Sequence, residues 1–378
     1  MDNNFFEAFR REFPVTGKYL YLDHSGIAPI SLRVKTAVGK FLAESTEGGS
    51  FHYPQWAQRT VEIRSACARL INAGPEELAF VKSTSHGLSL VAQGLDWRPG
   101  DNVVIYEKEF PSNIYPWLNL RSKGVEVRAI PSRDGRILLE DIARLMNSRT
   151  RLLSISTVQF SNGFRIDMEK VGSLCREKQV LLCVDAIQSL GMVPMDVRAF
   201  HIDFLSADAH KWLLGPEGIG IFYCRNGLAG QLSPPLIGWK SVRNELAFDR
   251  PDFLLKTDAL RFEEGSMNLM GIVGLGAALE LLFEVGIEQI EQRVLDLGEL
   301  ILREAEKRSY RVLTPRTRQE RGGNITISGN FDAVRMRDAL REKRIMVNAR
   351  GGGIRVSPHF YNTDEEILNF FTMLDRFV

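Results

Sequence analysis

The chain has 378 residues, 44% of them hydrophobic, 9% aromatic and 25% charged, which is enough apolar material for a core without metal or disulfide staples. Lys+Arg 48 against Asp+Glu 47 leaves a formal net charge of +1, which excludes a strongly basic nucleic-acid binder. Apolar runs break at glycine or charge before membrane-spanning length, the first residues lack an apolar signal core, and Cys67, Cys175, Cys183 and Cys224 form no Cys-x-x-Cys pair. These features lead us to expect a cytoplasmic protein with no membrane or nucleic-acid partner.

From about residue 78 to 225, short β-rich runs alternate with amphipathic stretches. Leu78–Val81, Asn102–Tyr106, Val125–Ile130, Arg151–Ser156, Val180–Asp185, Asp203–Ala207 and Ile219–Cys224 read as strands. Ser85–Gly94, Ser112–Ser122 and Asp167–Lys178 read as helices between them, the pattern of a mostly parallel, helix-covered sheet. Farther on, Gly286 reads as a break between two helices. Asn324–Ser328, Ile345–Asn348 and Ile354–Ser357 read as strands, with helices at Asp332–Lys343 and Thr363–Arg376. The texture suggests a large α/β domain over 16–260 and a smaller α+β domain formed by 1–15 and 261–378.

Four local patterns carry chemistry. Lys211 follows an apolar strand and is flanked by His210 and Trp212. Most lysines are surface charges, but one in a desolvated pocket loses its charge more easily and can trap an aldehyde. Asp185 and Gln188 sit at the carboxyl end of another apolar strand, where parallel sheets bind ligands. A helix N-cap is the bland reading of Asp185; the functional one is a counter-ion for a buried cation. Thr84 and Ser85 open a helix after a strand, a ready phosphate site, although such hydroxyls are usually caps alone. Phe110, after the next strand, is either a core ring or a stacking ring.

An amine, an acid, a phosphate cradle and a ring meet the needs of pyridoxal 5′-phosphate (PLP). With these residues in view, the chain resembles the class V aminotransferase and cysteine desulfurase superfamily, in its isopenicillin N epimerase-like and cyst(e)ine lyase-like branch. The resemblance runs from Tyr21-Leu-Asp-His-Ser-Gly-Ile-Ala-Pro through Asp185-Ala-x-Gln188 and His210-Lys211 to Arg355-Val-Ser-Pro-His-Phe-Tyr-Asn-Thr363.

The resemblance implies a PLP-dependent transferase of fold type I, with a mostly parallel seven-stranded sheet in the large domain and a smaller α+β C-terminal domain. It implies a homodimer acting on a small L-amino acid through an external aldimine. Lys211 would hold the cofactor and shuttle protons, Asp185 would face the pyridine nitrogen, and Phe110 would stack on the ring. Gln188 and Gln159 would contact the ring oxygen, and Thr84, Ser85 and His210 would bind phosphate. Ser266 would reach the phosphate of a neighbouring subunit, and Arg355 would grip the substrate α-carboxylate. No metal is expected.

Three departures from the family pattern stand out. Asp208 occupies a position where a serine phosphate ligand is usual, so its carboxylate is expected to point elsewhere. His24 and His86 lie in variable motif positions, where local hydrogen bonding is as good a reading as catalysis. Desulfurases carry a nucleophilic cysteine just ahead of the arginine, whereas Val347–Arg355 has none and its three glycines read as a tight turn. Transamination is placed ahead of C–S lysis, with epimerisation third and a non-catalytic PLP-binding protein last.

Overall fold

In the computed structural model, which describes residues 3–378, seven strands form one sheet. They are β1 (Leu78–Val81), β2 (Asn102–Tyr106), β3 (Glu126–Ile130), β4 (Thr150–Ser156), β5 (Leu181–Asp185), β6 (Phe204–Asp208) and β7 (Gly220–Cys224). Their order is β1-β7-β6-β5-β4-β2-β3; β2 to β6 run parallel, and only β7 opposes its neighbours. The sheet is mixed and mostly parallel, as expected. Alternation divides the side chains between two cores. Val104, Tyr106, Leu153, Ile155, Leu182 and Val184 pack on one face, while Val103, Ile105, Leu152 and Cys183 pack on the other.

The helix after β1 spans Thr84–Gly94, capped by Ser83, whose hydroxyl accepts from His86 N. Met168–Lys178 is capped in the same way by Asp167. The expected helix over Ser112–Ser122 does not form as one piece: only Tyr115–Leu118 is α-helical, between two 3-10 turns. Pro111 and Pro116 explain this, since each opens a turn and neither can continue a helix.

Gly286 adopts φ +89° and turns the chain by 77° between the helices Leu269–Val285 and Ile287–Lys307. Among the described residues no single helix is long and apolar enough to cross a membrane. Beyond Gly286, β8 (Arg311–Val312), β9 (Ile325–Ser328), β10 (Asn348–Arg350) and β11 (Gly353–Val356) make an antiparallel sheet in the order β10-β11-β9-β8. Side chains of Ile287–Lys307, Ala333–Glu342 and Asp364–Leu374 close its core.

The expected strand Ile345–Asn348 splits in two. Ile345–Met346 pairs in parallel with Leu20–Tyr21, and Asn348 begins β10. Leu20–Leu22, expected in the large domain, reach the small one, where Leu22 joins its core, whereas Phe6 and Phe13, expected in the small domain, join the large core. Ile272, Leu275 and Leu282 of the Leu269–Val285 helix also belong to the large core. That packing continues past the expected boundary at residue 260.

Candidate active site

The parallel strands aim their carboxyl ends at one edge, and the chemistry-bearing residues gather there. β5 ends in Asp185, which is buried and accepts a hydrogen bond from Ile187 N at 3.0 Å. Burial pushes its carboxyl up to about 6, against the pull of the Lys211 charge. β6 ends in Asp208, and three residues on Lys211 is 8% exposed. Burial lowers its ammonium to about 8, with Asp185 opposing the shift. A buried amine near neutrality and a buried acid beside it each hold the other's charge in a site that disfavours both.

Lys211 Nζ lies 5.5 Å from the centre of the Phe110 ring. That ring is 38% exposed, so it covers the lysine from the open side and is not a core residue. Phe160 packs edge-on against it at 5.2 Å.

Thr84 is buried at the start of its helix, and its hydroxyl accepts from Asp208 N at 3.0 Å, tying β1's helix to the end of β6. Ser85 Oγ donates to Ser112 Oγ at 2.8 Å. The Asp208 carboxylate folds back to accept from Ala209 N, yet one oxygen stays 2.9 Å from His210 Nδ1. That approach is out of line for a hydrogen bond, so the buried Nδ1 has no partner. The expectation that Asp208 points away thus holds only in part. Ser266 is exposed on a cavity of about 210 Å³ shared with Lys82 and His86.

Gln188 is buried with each polar atom engaged once: Nε2 donates to Ser25 O, and Oε1 accepts from Trp212 Nε1. Each retains capacity for one further bond. Gln159 donates through Nε2 to Glu109, while its buried Oε1 has no partner. Glu109 itself accepts from Ser156 N and Oγ and, being wholly buried, is pushed up to about 7.

Arg355 comes from β11 and is 2% exposed. Nη1 donates to Phe160 O at 3.0 Å and Nη2 to Asp23 Oδ1 at 3.2 Å, while Nε has no partner. Five N–H donors with two engaged leave a buried cation able to take a carboxylate. The turn ahead of it is tight: Gly351 at φ +59° and Gly352 at φ +83° join β10 to β11 in two residues, a conformation that demands glycine.

The four cysteines are all buried and free. Burial pushes Cys67, Cys175 and Cys224 up to about 12 and Cys183 higher still. His24 is a buttress. Its Nδ1 donates to Ser357 O, so Nε2 accepts from Tyr361 Oη at 2.6 Å, and burial lowers it to about 4.

The residues fit PLP on their own terms. An amine poised near neutrality faces a buried acid, and the unpartnered His210 Nδ1 and Gln159 Oε1 await polar partners. Sequence reading assigned no role to Glu109, Asp23 or Asn348. The first two stand inside motifs it had singled out, whereas nothing local marks Asn348.

A probable cysteine desulfurase from Methanothermobacter thermautotrophicus is 30% identical over 391 residues, covering 96% of this chain and 95% of its own. The apo cysteine desulfurase from Thermococcus onnurineus NA1 superposes with a TM-score of 0.90 at 26% identity, over 98% of each chain. A C-DES variant with glycine covalently linked to its PLP cofactor shares the fold, with a TM-score of 0.89 at 23% identity over 97% of this chain and 98% of its own. The model of the family described as aminotransferase class-V matches residues 20–370, and the chain belongs to that family.

Proposed function

We propose that this protein breaks the carbon–sulfur bond of a small cysteine-like L-amino acid by β-elimination, with PLP as cofactor. When bound, the cofactor supplies an electron sink for the pair left at Cα. Lys211 Nζ removes the Cα proton, and its lowered affinity for protons suits it to act as a base. Asp185 would keep the pyridine nitrogen protonated, and Phe110 would cover the ring. Gln188 and Gln159 would serve the ring oxygen; Thr84, Ser85 and His210 would serve the phosphate. Arg355 orients the substrate through its carboxylate. The Cβ–S bond then breaks, sulfur leaves as a thiol, and hydrolysis of the remainder gives pyruvate and ammonia.

The observation that carries this reading is the state of the thiols. The Methanothermobacter relative bears the name of an enzyme that takes sulfur from cysteine. Taking sulfur as a persulfide needs an accessible thiolate. All four cysteines here are buried and protonated, and the Gly351–Gly352 turn ahead of Arg355 carries none. Carbon–sulfur cleavage without a thiol nucleophile is elimination.

Transamination is the second reading. It shares Cα deprotonation, and the family name favours it. A panel of amino acids scored separately for keto acid, ammonia and sulfide decides between them. Elimination predicts sulfide and ammonia in equal amounts, whereas transamination predicts keto acid without ammonia and only with an amino acceptor.

We also propose a homodimer. Phe51, Leu246, Phe248 and Phe253 are each more than 70% exposed, and Trp239 is 40% exposed, apolar side chains that a partner subunit would cover. Ser266 is turned outward, where it would reach a neighbour's phosphate. Sedimentation at assay concentration checks the state; a fully active monomer contradicts it.

A further inference from the structure

The N-terminal strap, residues 20–25, touches both halves of the site. Leu20–Tyr21 pairs with Ile345–Met346, and Asp23 bridges to Ser357 just past β11. Ser25 O then accepts from Gln188 Nε2 at 3.1 Å. Between these anchors, the two oxygens of Asp23 take different donors. Oδ1 accepts from Arg355 Nη2 at 3.2 Å, and Oδ2 accepts from Asn348 Nδ2 at 3.1 Å. Arg355 and Asn348 face each other across the β10–β11 pair, so Asp23 ties both strands of the hairpin from one side.

Among the described residues no other charged group pairs with the guanidinium. Its second contact is the neutral Phe160 carbonyl. A buried cation held by one single-point ion pair turns easily about its own stem if that pair is lost. Gly26 protects the arrangement: a Cβ there would lie 2.5 Å from Asp23 Oδ2 and 2.8 Å from Oδ1.

We propose that Asp23 is a positioning residue for substrate binding, holding Arg355 so that its free Nε and remaining N–H groups present a fixed fork to the substrate carboxylate. The proposal rests on Arg355 as the carboxylate-binding group. A contact made equally before and during the chemical step affects KM and leaves kcat alone. Asp23→Ala therefore raises KM by about tenfold and changes kcat by less than about twofold, with the bound-cofactor absorbance unchanged. Asp23→Asn keeps one acceptor for Arg355 and gives up the one for Asn348, so it recovers most of the loss. Gly26→Ala adds only a methyl group, displaces the carboxylate and reproduces the rise in KM.

Calorimetric titration of the holoenzyme with propionate, a carboxylate without an amine, gives a readout apart from turnover. Its affinity falls in the same order as KM rises. If Arg355→Lys raises KM while Asp23→Ala and Gly26→Ala leave KM and propionate affinity at the parent values, this proposal is overturned and the role of Arg355 survives. If Arg355→Lys also leaves KM unchanged, both fall. Equal losses in Asp23→Ala and Asp23→Asn, or a loss confined to kcat, likewise contradict positioning.

Discussion

The proposed cofactor edge and the proposed substrate side of this site are built in opposite ways. On the cofactor edge each residue sits at or just past the end of its own strand: Thr84 after β1, Phe110 after β2, Asp185 ending β5, and Lys211 three residues beyond β6. The parallel sheet brings them together with no further instruction. On the substrate side, Arg355 is held by Phe160 and Asp23, which lie 195 and 332 residues away along the chain. The first region draws its placement from strand ends that local sequence sets. The second depends on long-range packing, and a single added methyl group can disturb it.

That contrast ranks the expected effects of substitution. The largest belongs to Lys211→Ala, which on the proposed function removes both the cofactor anchor and the base. Activity should fall by at least about 10³-fold, since the loss of a positioned base, about 10²–10⁴-fold, is joined by the loss of the covalent anchor. Borohydride treatment followed by peptide mapping should find the cofactor fixed to Lys211 in the parent and to no lysine in the variant. Asp185→Ala should come next, with weakened cofactor retention at low concentration, read as loss of cofactor absorbance on dilution. Arg355→Lys touches the other region: KM should rise about tenfold or more, because an ammonium cannot replace the planar fork, while cofactor absorbance stays as in the parent.

A smaller effect distinguishes the regions by pH. Glu109 is pushed up to about 7 by burial, above its unfolded value of 4.5. Between those values the folded protein holds the proton and the unfolded chain has released it. The stability that Glu109 gives is full below about pH 4.5 and is lost as pH rises through about 7. Denaturant unfolding of the parent minus that of Glu109→Gln should therefore decline from pH 5 to pH 8. A difference that grows over that range contradicts the burial of this acid.

The same contrast explains how much could be read without a structure. Strand positions and the residues at their ends were legible because alternation, continuous apolar runs and glycine breaks are local signals. The proline-split helix at 111–123 was misjudged because its amphipathic spacing outweighed Pro111 and Pro116 in the reading. Leu269–Val285 looks like any apolar helix in sequence, and only packing shows which core it fills. Asp23 was visible in a motif without its partner, since nothing at either position announces contact across most of the chain.

The smallest expected effect bears on the central claim. Replacing all four cysteines with Ala or Ser should leave turnover nearly intact, given a protein that still folds. The most direct measurement is the product left from L-cysteine by this variant and by the parent, with alanine and pyruvate quantified together and the protein analysed by mass for added sulfur. Elimination predicts pyruvate and ammonia from both, with little alanine and no persulfide. Alanine as the main product of the parent, together with a persulfide on any of Cys67, Cys175, Cys183 or Cys224, would contradict the account.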